Sequence, residues 1–501
     1  MLRLRPILSS KFLQIRNLSI TPTAKQNAPP KFDETLSVKQ RIHKQIELSG
    51  PISIATYMQQ ANTGEDRQGY YMSRDPLGEQ GDFITSPEIS QLFGEMVGTW
   101  CVHEFMCNKV SEKADCPLHL IELGPGKGTM MSDILRITDY LRKYLGEKRK
   151  IKVSMVEISD TLIAKQKETL EKWISDENEN VEINWYKAMD EIELDETVPE
   201  YILAHEFFDA LPIYKLKKMD RDEKVRVSKT EDGGVIDLDG EKLREIMIDV
   251  DPKNYGEFRY VVAQNATPVS KLSEQIFNTD PTSLLKRGFD EFEVSFQGAA
   301  IFSYLSTRIA ATSGCGLIMD YGYAHEKMPG QNSKQLDEES SIQDLQQKQT
   351  VYGRADTNKI IDTFRGYKNH KQHDVLQDSG NVDLTADVDF DFLAKSILSS
   401  DYLYENIRLA GPLTQRVFLK NMGIDARLNN LLIEQKGNDD IRKKIVTGYE
   451  YITDNEMMGE KFKFVAITTK ERGEYVDLPV TGFHSNVDPT KEGKNFEKDD
   501  V

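Results

Sequence analysis

Residues 118–134 read LHLIELGPGKGTMMSDI: an apolar run that ends in an acid, a loop with Gly at every second position, and the start of a helical segment. Gly124, Gly126 and Gly128 have no Cβ and enter positive φ freely, so the loop backbone can lie against a ligand. The amides from Thr129 onward add the partly positive end of a helix. Dinucleotide sites space their glycines G-x-G-x-x-G to admit a pyrophosphate, whereas the spacing here is G-x-G-x-G. Glu122, two residues before the first Gly, would repel a diphosphate and suits a cation or an amino group. S-adenosyl-L-methionine offers both, as a sulfonium and an α-ammonium. Farther on, the apolar run IKVSMVEI (151–158) contains Glu157, a carboxylate placed to accept hydrogen bonds from two ribose hydroxyls. The glycines alone would also fit an ordinary strand-to-helix turn. Together with the two acids they make an S-adenosyl-L-methionine pocket the expectation.

A second reactive set is HEFFDALP, residues 205–212, which directly follows the apolar YILA. In an open parallel sheet, ligands sit beyond the carboxyl ends of the strands, so these acids should face the same crevice as the glycine loop. Glu206 and Asp209 are the candidates for catalysis, because carboxylates bind a planar guanidinium through paired charge-assisted hydrogen bonds. Methyl transfer to such a group requires in-line alignment and localisation of the substrate's charge more than a strong base. The alternative is a helix N-terminal cap followed by two core phenylalanines. His205 and Asp209 have i, i+4 spacing, but HExxD lacks a second His and a third ligand, so no metal is expected. In Asp320-Tyr321-Gly322-Tyr323, a ring could contact substrate or fill the core. Asp387 and Asp389 in LTADVDF read as capping and turn acids.

These residues need an α/β scaffold. Strands are expected at 118–123, 151–158, 181–186 and 201–204, separated by the crossovers that parallel pairing requires. The sheet resumes at 316–320, and 462–469 is expected to close it. Helices are expected at 37–49 and at 54–60, and 86–105 carries Ile89, Leu92, Phe93, Met96 and Val97 at helical spacing. The chain then divides into a transit peptide (1–32), an N-terminal helical region (33–110), the first part of the core (111–214), a hairpin-rich insertion for substrate recognition (215–310), a second part of the core (311–485) and a disordered tail (486–501). The run 330–350 inside the second part is low in apolar residues and reads as a solvated loop.

The 501 residues suffice for a large core, and with mean hydropathy −0.53 no apolar stretch approaches the ~20 residues of a membrane span. No acid precedes Asp33, while Arg3, Arg5, Lys11, Arg16, Lys25 and Lys31 alternate with Leu, Ile, Phe and Ser, the make-up of a mitochondrial presequence. A disordered basic arm is the other reading. Without those six cations, 58 of the 64 Lys and Arg would face 82 acids. Such a surface repels nucleic acid. Cys101, Cys107, Cys116 and Cys315 form no CxxC pair and are expected to be reduced core residues, as in the matrix.

The segments GYYMSRDPLGEQGDFITSPEISQLFGE, IELGPGKGT, HEFFDALP, DYGY, VDLTADVDF and GPLTQRVFLKNMGI follow one another between about Gly50 and Thr469. In that order they resemble the MidA family of S-adenosyl-L-methionine-dependent protein arginine methyltransferases, in particular its mitochondrial, complex I assembly branch. The resemblance implies a class I (Rossmann-like) methyltransferase sheet with added helical N-terminal and substrate-recognition elements. It implies symmetric (type II) dimethylation of an arginine in the 49 kDa core subunit of NADH:ubiquinone oxidoreductase. Carried over by position, Gly124, Gly126 and Gly128 would line the cofactor and Glu157 would hold its ribose. Gly81, Asp82 and Phe83, in a stretch that continues through Thr85, Pro87, Glu88 and Ser90, would close over it; a loop and helix cap starting at Ser86-Pro87 is the structural alternative. His205 stands where many bacterial members have Asn. Arg365 and His370 match the family pattern without an assigned role. Two other functions fit parts of the sequence: a non-catalytic assembly chaperone that keeps the cofactor fold, and a nicotinamide-dependent oxidoreductase, which the glycine spacing and Glu122 disfavour.

Overall fold

The computed structural model describes residues 36–64, 69–73, 84–108, 116–174, 179–219, 227–229, 235–237, 242–280, 282–324, 360–470 and 479–484. The presequence segment, Gly81, Asp82, Phe83, the 330–350 run and the 486–501 tail lie outside the described residues.

Seven strands form the main sheet: β1 (Leu118–Leu123), β2 (Ile151–Val156), β3 (Val181–Tyr186), β4 (Glu200–His205), β5 (Cys315–Tyr323), β6 (Ile407–Thr414) and β7 (Phe462–Thr469). Their spatial order is β6-β7-β5-β4-β1-β2-β3, and Val388–Asp389 adds a short parallel pairing at the end of β5. Every residue of β1 and β4 is buried, as expected of strands covered on both faces. Successive strands run outward from β1 to β3, and the chain then returns to lay β4 on the other side of β1. The carboxyl ends of β1 and β4 therefore flank the topological switch point, where a doubly wound sheet opens a crevice. The last strand does not close the sheet: β7 is antiparallel and lies between β5 and β6, leaving β6 at the edge.

Alternate side chains send Ile121, Leu123, Ile202, Ala204, Ile318 and Val465 into one core, beneath the helix Phe296–Thr312. Leu120, Met155, Leu203, Leu317, Met319 and Phe464 enter a second core on the opposite face, with the helices Gln91–Met106 and Thr129–Leu145. A buried bidentate pair fixes the first helix to the sheet: Arg308 Nη2 and Nε lie 2.6 and 2.9 Å from the Glu200 carboxylate. A third core joins the helices Val38–Ser49 and Ile54–Asn62 to an antiparallel sheet that contains Tyr214–Lys218, Leu243–Val250, Phe258–Val262 and Glu291–Val294.

The helical spacing over 86–105 spans two helices, Ser86–Ile89 and Gln91–Met106. Ser90 is extended (φ −151°, ψ 124°), ends the turn Ser86–Ile89 and accepts the Leu92 amide as N-cap of the next helix. Apolar spacing carries across such a cap because both segments bury the same side, whereas the local competition of a Ser hydroxyl with the helix breaks it. Cys107 is half-buried rather than part of the core; the other three cysteines are buried, and none of the four is in a disulfide.

Candidate functional site

One wall of the crevice starts at β1. Gly124, Gly126 and Gly128 all have positive φ, +59°, +52° and +80°. At Gly124 the absent side chain matters twice, since a Cβ would also come within 3.1 Å of the Phe207 ring. Gly128 caps the helix Thr129–Leu145 in the left-handed conformation without any side-chain hydrogen bond, so its first amides are left for another acceptor. Gln166 ties the loop to the next strand: its amide nitrogen donates to the Gly126 carbonyl at 2.8 Å and to Glu157 at 3.3 Å, while its oxygen accepts from Trp185 Nε1 at 2.9 Å. Glu157 also accepts the Ser159 amide at 2.8 Å, and burial raises its pKa. Glu122 is buried, Oε2 has no hydrogen-bond partner, and burial pushes its pKa up to about 8.

The opposite wall is assembled from acids. After His205 the chain turns through Glu206, whose φ of +47° is rare for a side chain of this size. That turn is fastened by Asp320: Oδ2 accepts the amides of Phe207, Phe208 and Asp209 at 3.2, 2.9 and 3.3 Å. Asp209 accepts the Thr385 hydroxyl at 2.9 Å on Oδ2, while Oδ1 is unpartnered. Burial raises the pKa of Asp209, and hydrogen bonds from Tyr321 and Thr385 and the charge of Arg365 oppose the rise. Glu206 is held well above the ordinary carboxylate range by burial and then by Asp209 and Asp383, against a hydrogen bond from the Ser86 amide. Asp320 is raised by the same kind of causes, burial first and the Asp209 and Glu206 charges next. Tyr71 donates to Asp383 at 2.5 Å. Arg365 pairs with Asp387, its guanidinium 5.1 Å from the centre of the Tyr321 ring.

Between the walls lies a cavity of about 730 Å³. Glu122, Gly124, Gly126 and Glu157 line one side of it, and Glu206, Asp209, Asp383 and Asp387 line the other. Gly128 is set back at the helix start rather than on the lining, and Thr85, Pro87 and Glu88, which follow Gly81, Asp82 and Phe83 in sequence, do line it. Among the described residues, no group of three His, Cys, Asp or Glu is arranged to hold a metal ion.

Asp387, expected with Asp389 among the capping and turn acids, pairs with Arg365; Asp389 caps, accepting the Phe392 amide at 2.9 Å. Sequence reasoning missed Asp320 as the fastener of the Glu206 turn, and it missed Tyr71 and Asp383. For Asp320 a signal existed: an acid at the carboxyl end of a buried strand, like Glu122. The crevice suits S-adenosyl-L-methionine. It offers an unpaired buried carboxylate for a cation, a glycine loop a backbone can share with a ligand, and a second acid, Glu157, still in contact with the cavity.

Residues 96–403 match the family model of S-adenosyl-L-methionine-dependent methyltransferases. The mitochondrial protein arginine methyltransferase NDUFAF7 of Danio rerio is 34% identical over 469 residues, covering 89% of this chain and 92% of its own. Its Homo sapiens counterpart is 34% identical over 460 residues (89% and 86%), and the Drosophila melanogaster homolog is 33% identical over 499 (95% and 97%). Among solved structures, a Burkholderia thailandensis protein bound to S-adenosyl-homocysteine superposes with a TM-score of 0.60 at 18% identity, covering 86% of this chain and 91% of its own, which is a likeness of fold.

Proposed function

Because the chain belongs to the MidA-type family of S-adenosyl-L-methionine-dependent methyltransferases, whose relatives include NDUFAF7, we propose that it methylates arginine in a protein substrate inside mitochondria. The observation that carries this reading is the opposition of two unlike walls across one cavity: the glycine loop with Glu122 and Glu157, and the buried acids Glu206 and Asp209. We further propose that the product is symmetric dimethylarginine, that the substrate is the 49 kDa core subunit of complex I, and that the matrix is the compartment.

Bound S-adenosyl-L-methionine supplies an electrophilic methyl group on a sulfonium that leaves as a neutral thioether. In this reading Glu157 holds the ribose hydroxyls and Glu122 faces the cationic end, with Gly124, Gly126 and Gly128 giving the backbone room. Glu206 and Asp209 bind the guanidinium. Thr385 fixes one oxygen of Asp209 and leaves the other free, so the substrate's charge is drawn to one edge and the attacking nitrogen is aimed by the opposite edge. Desolvation strengthens both contacts, because each carboxylate is more strongly attracted to a cation here than in water.

The test uses mitochondrial protein from cells lacking this chain, incubated with labelled S-adenosyl-L-methionine and the purified protein. Label is expected on arginine, with symmetric dimethylarginine in the 49 kDa subunit by fragment mass spectrometry. Glu206→Gln and Asp209→Asn should each lower the rate by about 10²-fold or more while S-adenosyl-homocysteine still stabilises the fold. Label on a residue other than arginine would overturn the reading, and full complex assembly in cells carrying both substitutions would favour a chaperone role.

A further inference from the structure

His205 is left without a task by the account above, although it lines the cavity next to Glu206. Its Nε2 lies 3.3 Å from Glu206 Oε1, both atoms are buried, and neither has a hydrogen-bond partner. The imidazole is packed between the rings of Phe93 (centroids 4.9 Å apart) and Phe462 (6.5 Å, stacked), which offer it no polar contact. A carboxylate oxygen and an imidazole nitrogen facing each other at this distance in a dry site repel unless one of them carries a proton.

We infer that Glu206 takes the proton released from the methylated nitrogen and that His205 is the positioning residue that holds it there, accepting the carboxyl O–H at Nε2. This rests on the arginine reading. In the transfer, a lone pair of the guanidinium nitrogen forms the bond to the methyl carbon, the carbon–sulfur pair stays on sulfur, and one N–H proton must leave. With the sulfonium and the guanidinium both bound, two cations hold Glu206 ionised, the proton it carries in the ligand-free chain having left to solvent; the cavity then loses the sulfonium charge as the methyl moves. A proton kept on Glu206 keeps the charge in the site constant, and the substrate remains a guanidinium. His205 suits the task because burial holds its pKa at about 3, so it accepts the hydrogen bond without becoming a second cation. The tautomer this requires has the proton on Nδ1. The other groups facing Glu206 act in the same direction: the Asp209, Asp383 and Asp320 carboxylates favour its protonated form, and only the Ser86 amide favours the anion.

A packing role and this role make opposite demands on substitutions. His205→Phe fills the space between Phe93 and Phe462 but has no acceptor; His205→Gln packs less well but places an amide oxygen near the position of Nε2. With mitochondrial extract from cells lacking the chain as methyl acceptor, His205→Phe is expected to lose about 10²-fold in kcat with the KM for S-adenosyl-L-methionine unchanged. His205→Gln should stay within about tenfold of the native rate. Infrared spectra of the S-adenosyl-homocysteine complex give a readout apart from turnover. A protonated-carboxyl stretch absent in Glu206→Gln should move to higher wavenumber in His205→Phe and return in His205→Gln. Native kcat in His205→Phe, or an unmoved band, overturns the assignment of His205. Absence of methylarginine with the native chain overturns the arginine reading instead, whatever the band does.

Discussion

On the glycine wall the side-chain hydrogen bonds of Gln166 reach no farther than 40 residues, to the Gly126 carbonyl. On the acid wall Tyr71 reaches Asp383 across 312 residues, and Asp320 holds the Phe207 amide across 113. The first wall depends on backbone conformation, which glycine permits and any side chain resists. The second depends on whether distant segments arrive together. The first should therefore fail by strain at single positions, and the second by loss of shared anchors.

The largest effect is expected at Gly124. Gly124→Val combines a positive φ with a Cβ pressed on Phe207, so S-adenosyl-homocysteine binding should fall by at least about 10²-fold in calorimetry, while Glu206 and Asp209 remain in place. Unimpaired binding would break the claim that this wall works through backbone shape. Next is Asp320→Ala, which strips the acceptor from three amides at once, two of them buried. A loss of about 5 kcal/mol in denaturant unfolding is expected, and a loss below about 1 kcal/mol would mean that the Glu206 turn is held by something else.

Titration separates the walls further. The Glu122 carboxyl in the folded, ligand-free chain has its pKa raised to about 8, above its value in an unfolded one. Its contribution to stability is therefore complete below about pH 4.5 and is lost as pH rises toward 8. Glu122→Gln removes that loss, so between pH 5 and pH 8 the variant should gain on the native protein by about 3–4 kcal/mol, read from unfolding curves at both pH values. A constant difference across that window would show that the carboxyl is ionised throughout. The smallest effect belongs to Gly128→Ala: a Cβ there meets Gln166 only at ordinary contact distance (3.5 Å), which leaves backbone strain of about 1 kcal/mol and a weakening of cofactor binding below about tenfold.

The difference between the walls also explains what could be read in advance. Glu122, Gly124, Gly126 and Glu157 lie on or beside strands whose apolar runs are plain, so type, spacing and context sit within one stretch of chain. The direction of Glu206 and Asp209 followed from their place after β4. LTADVDF has the local form of a capping and turn segment, and nothing near it announces the pairing of Asp387 with Arg365. The break at Ser90 was invisible for the reverse reason, since apolar spacing persists on both sides of a purely local cap. The position of β7 between β5 and β6 is a matter of long-range pairing, which an apolar run specifies only as a strand.

Asn62 accepts the Leu384 amide through its side-chain oxygen at 3.2 Å and donates to the Leu384 carbonyl at 2.8 Å, a two-point clasp between residues 322 apart. A ribosome or an import channel delivers the first of these residues long before the second. The entropy of closing so long a loop is met only when the rest of the sheet has condensed. The acid wall, unlike the glycine loop, is complete only once residues from both ends of the described chain have been made.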